Sequence, residues 1–243
     1  MDFKVFTLDE RIDLIDQVAS LDNRSWPIFL QNGDAESWKY FYDELTEYVL
    51  VFEQNDEVIG AGFTVPLKWD GTVRDLPKSI EDILQRGLSN KHDHNQANTL
   101  IPIGALVDAS QQGQGLSSVI LQEMKRIAYD LNLSSLVVPV RPTQKSEYPL
   151  QSIFSYATWR QSDRYLYDPW LRVHEKLGAE IIHISECTLT VKAPLSDWVN
   201  WTGMIFPESG KYIVPGALSP VDVCIESYSA SYKDPNVWMK HPM

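Results

Sequence analysis

A short run of small and polar residues with two glycines could bind an anion. The run is Val107-Asp108-Ala109-Ser110-Gln111-Gln112-Gly113-Gln114-Gly115-Leu116-Ser117-Ser118. Gly113 and Gly115 would allow the backbone to approach a ligand closely. If a helix begins after them, its free amides and the positive end of its dipole would point at that ligand. The run therefore predicts a phosphate-binding turn.

The segments on either side have the patterns of a strand and a helix. Thr99 to Val107 is rich in Leu, Ile, Ala and Val, which is typical of a buried strand. Downstream, apolar residues recur at helical spacing, at Leu116, Ile120, Leu121, Met124 and Ile127. The turn is not a Walker sequence, because no Lys-Ser or Lys-Thr follows the glycine, and it lacks three-glycine dinucleotide spacing.

Gln112 to Ser117 resembles the acyl-CoA pyrophosphate loop of the GNAT acyltransferase superfamily. The family pattern is Gln or Arg, two variable residues, Gly, one variable residue, then Gly or Ala. Ser117 departs mildly from the final small residue, and its hydroxyl or that of Ser118 could donate to a phosphate. The resemblance implies that acyl-CoA is bound by Leu106, Val107, Gln112, Gly113, Gln114, Gly115, Leu116, Ser117 and Ser118.

A second segment, Asp168 to Ala179, resembles the helix that follows the fifth strand of the same superfamily. Those helices commonly end in Tyr, two or three variable residues, then Gly and an aromatic residue. Here Gly178 suits the left-handed cap that ends a helix, and His174 stands at the tyrosine position. Leu136 to Val140 supplies a strand between the two matches, and the resemblance covers roughly residues 1–185.

The resemblance implies an α/β fold with a mixed, mostly antiparallel twisted sheet. A parallel strand pair, Thr99 to Val107 and Ser135 to Val140, splits this sheet, helices flank it, and the diverging strand ends form the acyl-CoA cleft. Residues 1–185 are then the GNAT-like acyl-CoA-binding core. Residues 186–243 form a C-terminal extension of strands and one helix, which we expect to pack on the core rather than fold as an independent domain.

Patterns along the rest of the chain predict further elements. A helix is expected from Asp9 to Ser20 with Ile12, Ile15 and Val18 facing inward, capped by Thr7 with Glu10 three residues later. In the extension, we expect a Trp-rich helix around Asp197 to Thr202 and strands near Val221 to Ile225 and Val237 to Lys240, with Trp198, Trp201 and Trp238 as core or interface residues.

Acyl transfer from a thioester to an amine needs few protein groups, because the thioester is already activated and positioning supplies much of the rate. In the family, a backbone amide on the strand before the glycine loop, here near Leu106 and Val107, commonly bonds the carbonyl. A carboxylate further back on that strand often serves as base. Ile101-Pro102-Ile103-Gly104-Ala105-Leu106 contains none. The base must therefore come from elsewhere, or the acceptor loses its proton to solvent.

His174 is the leading candidate for protonating the departing thiolate, because it occupies the usual tyrosine position and imidazole titrates near neutral pH. The competing interpretation is a core histidine beside an apolar helix face of Trp170, Val173 and Leu177. Tyr148 and Tyr156 are alternative donors or acceptor-site residues.

The sequence is therefore interpreted as an acyltransferase that moves an acetyl or other short acyl group from acyl-CoA to an amine. The acceptor is an unidentified small molecule or peptide, whose amine attacks the thioester directly. One alternative is a catalytically silent acyl-CoA-binding or sensing module. Another is an enzyme that uses the same cleft for thioester hydrolysis or decarboxylation.

Composition limits the partners and location. Twenty-one basic and 33 acidic residues give a net charge of −12, which disfavours nucleic-acid and anionic-membrane binding and favours a cationic or neutral acceptor. No apolar run approaches the roughly 18 residues of a membrane span. Cys187 and Cys224 lack metal spacing, and His92 and His94 lie in a polar segment without a third ligand. We expect a cytoplasmic protein with no metal, and the sequence leaves open whether it forms a homodimer.

Overall fold

The computed structural model describes residues 3–32, 35–93 and 96–243. The chain divides into two compact units. The first unit comprises Met1–Trp26, Glu36–Val138 and Lys240–Met243, and the second comprises Pro27–Ala35 and Pro139–Met239.

The strands of the described residues are β1 (Lys4–Thr7), β2 (Val49–Gln54), β3 (Glu57–Leu67), β4 (Thr99–Val107), β5 (Ser135–Val140), β6 (Glu180–Pro194), β7 (Gly210–Tyr212), β8 (Val221–Cys224) and β9 (Ser229–His241). The helices are α1 (Ile15–Ser25), α2 (Ile28–Gln31), α3 (Ala35–Trp38), α4 (Ile80–His92), α5 (Leu116–Asp130), α6 (Ile153–Tyr156), α7 (Pro169–Lys176) and α8 (Leu195–Thr202).

The sheet of the first unit has the strand order β1-β2-β3-β4-β5. The pairs from β1 to β4 are antiparallel, whereas β4 and β5 are parallel, with Thr99 opposite Ser135 and Leu100 opposite Leu136. The prediction of a mostly antiparallel sheet with one parallel pair, flanked by helices, is confirmed. Both strands of that pair have the predicted bounds.

Helix α5 lies close to the central strand β3. A Cβ atom built at Gly62 would be 2.7 Å from Met124 Cε, and one built at Gly60 would be 3.2 Å from Ile120 Cδ1. Met124 and Ile120 are wholly buried on the inner face of α5. The two glycines therefore allow the helix after the glycine loop to pack directly on the strand.

The first helical segment differs from its prediction. Glu10 Oε2 does accept the Thr7 N–H at 2.9 Å, as the capping pattern suggests. However, a 3-10 turn at Ile12–Leu14 precedes α1, which shifts the helical phase. The inward position predicted for Ile12 is wrong: its side chain is 54% exposed, and Leu14 is buried instead.

The second unit contains an antiparallel β7-β8-β9 sheet with β6 also paired to β9. Its apolar core consists of Phe29, Val191, Leu195, Trp198, Phe206, Val214, Ala217, Val221, Val223, Ala230 and Tyr232. Trp198 and Trp238 are buried, and Trp201 packs against this core, as predicted. Strand β6 runs across residue 185, and the division of the chain at that residue stays a prediction.

Two further expectations concern the histidines near the end of α4 and membrane-spanning helices. His92 Nε2 lies 2.6 Å from Glu44 Oε2, and His94 falls outside the described residues. Within residues 3–32, 35–93 and 96–243, no helix has the length and apolar character required to cross a bilayer.

Candidate functional site

Strand β4 has an open edge next to the glycine loop. Among the described residues, its ladder with β5 is limited to Thr99 and Leu100. At the other end of β4, Asp108 N donates to Ile59 O on β3, with an N–O distance of 2.9 Å. Successive strand residues direct their backbone groups to opposite edges, so the Val107 N–H points away from β3. Of the two residues proposed to supply the amide, Val107 therefore has the favourable direction, whereas the Leu106 N–H points toward β3.

A β-bulge lies in the middle of β4. Phe63 pairs with Gly104 and Thr64 pairs with Pro102, which leaves Ile103 as an extra residue. A bulge bends the strand and increases its local twist. The bulge follows the residues that pair with β5, so β4 bends shortly after that pairing ends.

The glycine loop is exposed and has the conformation that its sequence predicts. Gly113 and Gly115 have φ values of 76° and 84°, and a Cβ at either position would meet no atom within 4 Å. Gly115 caps α5, whose first-turn amides at Leu116 and Ser117 have no acceptor within the helix. Open space, flexible glycines and free helix amides fit a pyrophosphate.

Asp108 holds the start of this loop. Its carboxylate accepts Ser110 N at 2.9 Å and Arg24 Nη2 at 2.7 Å. The hydrogen bonds from Ser110, followed by Arg24, lower the pKa of Asp108, so it is ionised near neutral pH. An ionised cap fixes the backbone between β4 and the glycines.

In the second unit, four aromatic rings form a cluster. Tyr148, Tyr156, Trp159 and Tyr167 are all in mutual contact, with ring centroids from 5.0 to 6.2 Å apart. The hydroxyls of Tyr148 and Tyr167 lie 2.9 Å apart, and both side chains are half-buried. The cluster thus brings the two predicted tyrosine candidates together.

Tyr156 is tied to a buried carboxylate. Its hydroxyl donates to Asp168 Oδ2 at 2.9 Å, and Asp168 also accepts the backbone N–H groups of Gln144 at 2.9 Å and Trp170 at 3.0 Å. Burial, followed by the negative charge of Asp168, raises the pKa of Tyr156 far above its ordinary value. A buried phenol that already donates to a carboxylate is poorly suited to release its proton to a thiolate.

His174 lies inside the second unit. Its side chain is 0% exposed, and its ring centroid is 4.5 Å from that of Trp170. The apolar face predicted for α7 is wrong, because Leu171 and His174 are its buried residues, while Trp170 and Val173 are half-buried. The three-residue spacing of Leu171 and His174 defines the inner face. A catalytic role for His174 stays a prediction.

Lys145 is a buried cation that the sequence analysis did not single out. Its side chain is 1% exposed, and Nζ donates to Tyr148 O at 2.8 Å and Leu218 O at 2.6 Å. Burial lowers the pKa of Lys145 to about 8. A lysine in a polar loop carries no sequence signal for burial, because one of its two acceptors, Leu218 O, lies 73 positions away along the chain.

Asp22 is a second group that the sequence analysis missed, and it lies in the first unit. Its carboxylate accepts the indole N–H groups of Trp26 at 2.9 Å and Trp38 at 2.6 Å, and the Tyr42 hydroxyl at 2.9 Å. Burial raises the pKa of Asp22. The i, i+4 spacing of Asp22 and Trp26 was visible in the sequence, but the approach of Trp38 and Tyr42 was not.

A curated protein is similar to this chain in sequence, and solved structures share its fold. The chain is 33% identical to the arginine N-acetyltransferase avaD of Aspergillus versicolor, over 90% of this chain and 85% of that protein. It also superposes on the loading GNATL domain of CurA from Lyngbya majuscula with a TM-score of 0.68 and 14% identity, covering 100% and 98% of the two chains. The GNAT-like decarboxylase GphF in complex with isobutyryl-CoA gives a TM-score of 0.61 and 14% identity, with 100% and 99% covered. No family model matches the chain.

The two solved structures establish the fold, and the curated relative establishes the family. The open β4 edge, the glycine loop and the helix that begins after it agree with both. The chain belongs to the GNAT superfamily of acyl-CoA-dependent N-acyltransferases and transfers an acyl group from acyl-CoA to an amine.

Proposed function

We propose that this enzyme transfers an acetyl group from acetyl-CoA to a guanidinium-bearing acceptor, with arginine as the first candidate. The 33% identity to an arginine N-acetyltransferase over most of both chains carries this proposal. The net charge of −12 supports it, because a negative protein attracts a cationic acceptor.

The reaction forms one C–N bond and breaks one C–S bond. The acceptor nitrogen loses a proton and attacks the thioester carbon with its lone pair. The intermediate then expels the thiolate, and the nitrogen releases a second proton. One proton goes to solvent or a base, and the thiolate takes up the other as free CoA forms. Direct attack of this kind requires no covalent acyl-enzyme.

The proposed acyl-CoA site consists of the open edge of β4 and the glycine loop. Backbone amides from Gly113 to Ser117 bind the pyrophosphate, the Gln112 backbone leads into this turn, and the hydroxyls of Ser117 and Ser118 supply further donors. The Val107 amide donates to the thioester carbonyl, where it stabilises the negative charge that develops during attack. The adjacent Leu106 pairs with Ala61 on β3, and this pairing positions the Val107 amide at the open edge.

Tyr148 is the proposed proton donor to the thiolate. Its hydroxyl is half-buried and bonds to another phenol, whereas Tyr156 donates to Asp168 and His174 is fully enclosed. A general acid has to come within hydrogen-bond reach of the atom that it protonates. Exposure therefore favours Tyr148 among the three candidates.

A thiol-release assay tests the proposed function. Acetyl-CoA and longer acyl-CoAs are each combined with arginine, an arginine amide whose α-amine is blocked, citrulline, polyamines, aminoglycosides and peptide amines. We expect thiol release with acetyl-CoA and the arginine compounds, and mass spectrometry of the products identifies the acylated nitrogen.

The same assay separates the alternatives. Thiol release that does not depend on an added amine would indicate thioester hydrolysis. Binding of acyl-CoA without any thiol release would favour a silent binding module. Release with another amine, but not with arginine compounds, would contradict the proposed acceptor while leaving the family chemistry intact.

A cytoplasmic location and a homodimer are also proposed. Cys187 and Cys224 are both free thiols, which agrees with a reducing compartment. Sedimentation equilibrium of the full chain tests the dimer, since a mass near 27.8 kDa would indicate a monomer instead.

A further inference from the structure

We propose that Asp22 and the aromatic side chains around it bind the guanidinium group of the acceptor. The cage is defined as Asp22 with Trp26, Trp38 and Tyr42, all within the first unit. This inference rests on the proposed function and assigns a residue to the recognition of its substrate.

The carboxylate of Asp22 has three neutral donors and no cationic partner among the described residues. Oδ1 accepts from Trp26, and Oδ2 accepts from Trp38 and Tyr42. A carboxylate has about four acceptor positions, so one position on Oδ1 stays available. Burial raises the pKa of Asp22, and the three hydrogen bonds that it accepts oppose this shift by favouring the ionised form. A guanidinium would supply both a fourth donor and the missing positive charge.

The buried charge requires a reason. Asp22 is 7% exposed, and a carboxylate is costly to bury when no opposite charge compensates it. A neutral amide or hydroxyl could anchor α1 to the following segment at lower cost. By comparison, the buried Glu53 of the same unit has Arg11 and Lys4 within 4.0 Å. Asp22 therefore has the features of a charge kept for a ligand.

The rings of the cage suit a planar cation. Trp26, Trp38 and Tyr42 are each half-buried, so part of each side chain is accessible to solvent. A guanidinium stacks on aromatic faces and donates to carboxylates through the same flat group. An uncharged ureido group has nearly the same shape but lacks the charge. The contrast between these two groups provides a specific test.

The cage contacts β3, the strand next to the one that is proposed to hold the thioester. Trp38 and Tyr42 contact the ring of Phe63 on β3, with centroids 5.3 and 6.2 Å apart. Phe63 pairs with Gly104 at the β4 bulge, where a Cβ on the glycine would be 3.1 Å from the Phe63 ring. A single side chain thus separates the cage from the bulged part of β4. The cage and β4 are therefore connected through Phe63 within the first unit.

Calorimetry provides the first test. The CoA-saturated enzyme is titrated with an arginine amide whose α-amine is blocked and with its citrulline counterpart. The two probes differ only in one group, which is a guanidinium in the arginine probe and an uncharged ureido group in the citrulline probe. We expect the wild type to prefer the arginine probe by about 10- to 100-fold, as for a hydrogen bond to a charged group. Asp22→Asn should abolish this preference, whereas the matched control Glu53→Gln should retain it.

Asp22→Asn leaves one of the three donors poorly matched and could prevent folding. We therefore add a measurement on the wild type that does not depend on this variant. The indole N–H signals of Trp26 and Trp38 are assigned by NMR with Trp26→Phe and Trp38→Phe. The arginine probe should shift these two signals and leave that of the buried Trp238 in place. The citrulline probe should leave all three unchanged.

The outcomes distinguish this inference from the proposed function. If the wild type binds both probes equally, if Asp22→Asn retains the preference, or if the arginine probe leaves the Trp26 and Trp38 signals unmoved, the inference is overturned. If the arginine probe binds at the cage but no arginine compound is acetylated, the cage is supported and the proposed acceptor chemistry fails.

Discussion

The polar side chains in the interior of the second unit differ in how readily they can give up a proton. Tyr156 donates to Asp168, Lys145 donates to two carbonyl oxygens, and His174 is fully enclosed. Only the Tyr148 hydroxyl of the three proton-donor candidates combines partial exposure with a neutral hydrogen-bond partner. A role in proton transfer and a role in packing can therefore be separated by substitution.

Tyr148→Phe should lower kcat by about 10²-fold with little change in the Kd for acyl-CoA, because it removes a general acid without removing bulk. Tyr167→Phe is the matched control: it removes the hydroxyl of the neighbouring tyrosine and should lower kcat by less than about tenfold.

His174→Phe should change the melting temperature and leave turnover per folded molecule near wild type. Lost turnover in His174→Phe with normal melting, partly restored in His174→Tyr, would instead identify His174 as the donor.

Lys145 gives a pH dependence of stability. Burial lowers its pKa to about 8 in the folded chain, against 10.5 when unfolded. Between these values the unfolded state binds more protons, so the free energy of unfolding rises with pH. Relative to Lys145→Met, the wild type should gain on the order of 2 kcal/mol from pH 8 to pH 10. Urea unfolding of both proteins checks this, and a constant difference would show that Lys145 stays charged.

At the scale of elements, the strand-loop-helix segment joins three local features. Strand β4 ends at Val107, Asp108 caps the following turn, and Gly113 and Gly115 adopt positive φ. Each feature depends on neighbours within a few residues. The sequence could therefore predict the strand bounds, the exposed glycine turn and the start of α5.

Gly115→Val should weaken acyl-CoA binding at least about tenfold, because its side chain would fill the space proposed for the pyrophosphate. The substitution also strains the backbone, which has φ of 84°. Gly71→Val is a matched control, since Gly71 has φ of 87°, is exposed and has open space around its Cβ position. Calorimetry and melting curves are compared for both. Equal acyl-CoA affinity in the two variants would contradict the loop assignment.

Two other features were not predictable in the same way. The 3-10 turn before α1 changed the phase of the helix and exposed Ile12. The cage at Asp22 requires Trp38 and Tyr42, which lie 16 and 20 residues further along the chain. Helical periodicity gives one face of one element. It does not show which side chains of later segments approach that face.

At the scale of the whole molecule, the C-terminal residues provide most of one core. Ten of the eleven residues in the apolar core of the second unit lie between Val191 and Tyr232, and the remaining one is Phe29. The short strand β7 lies at the edge of the sheet in the same unit. We propose that residues 186–243 complete the fold rather than act alone.

A chain that ends at Ser185 should aggregate or lose cooperative melting. The truncation interrupts β6 and removes the partners of Phe29, which stacks on Trp198 at 5.6 Å. A chain that ends at His241 is the control, because it lacks only Pro242 and the exposed Met243. Scanning calorimetry measures both. A cooperatively folding and fully active fragment ending at Ser185 would contradict the proposal.

The hydrogen bonds to Asp168 should determine how the backbone around it opens during hydrogen exchange. One carboxylate accepts the backbone N–H groups of Thr143, Gln144, Trp170 and Leu171, and these come from two separate stretches of chain. Breaking one stretch away from Asp168 leaves a buried charge that is short of donors. The four amides should therefore exchange with deuterium as one cooperative group, with a shared opening free energy. In Asp168→Asn they should exchange faster and independently of one another.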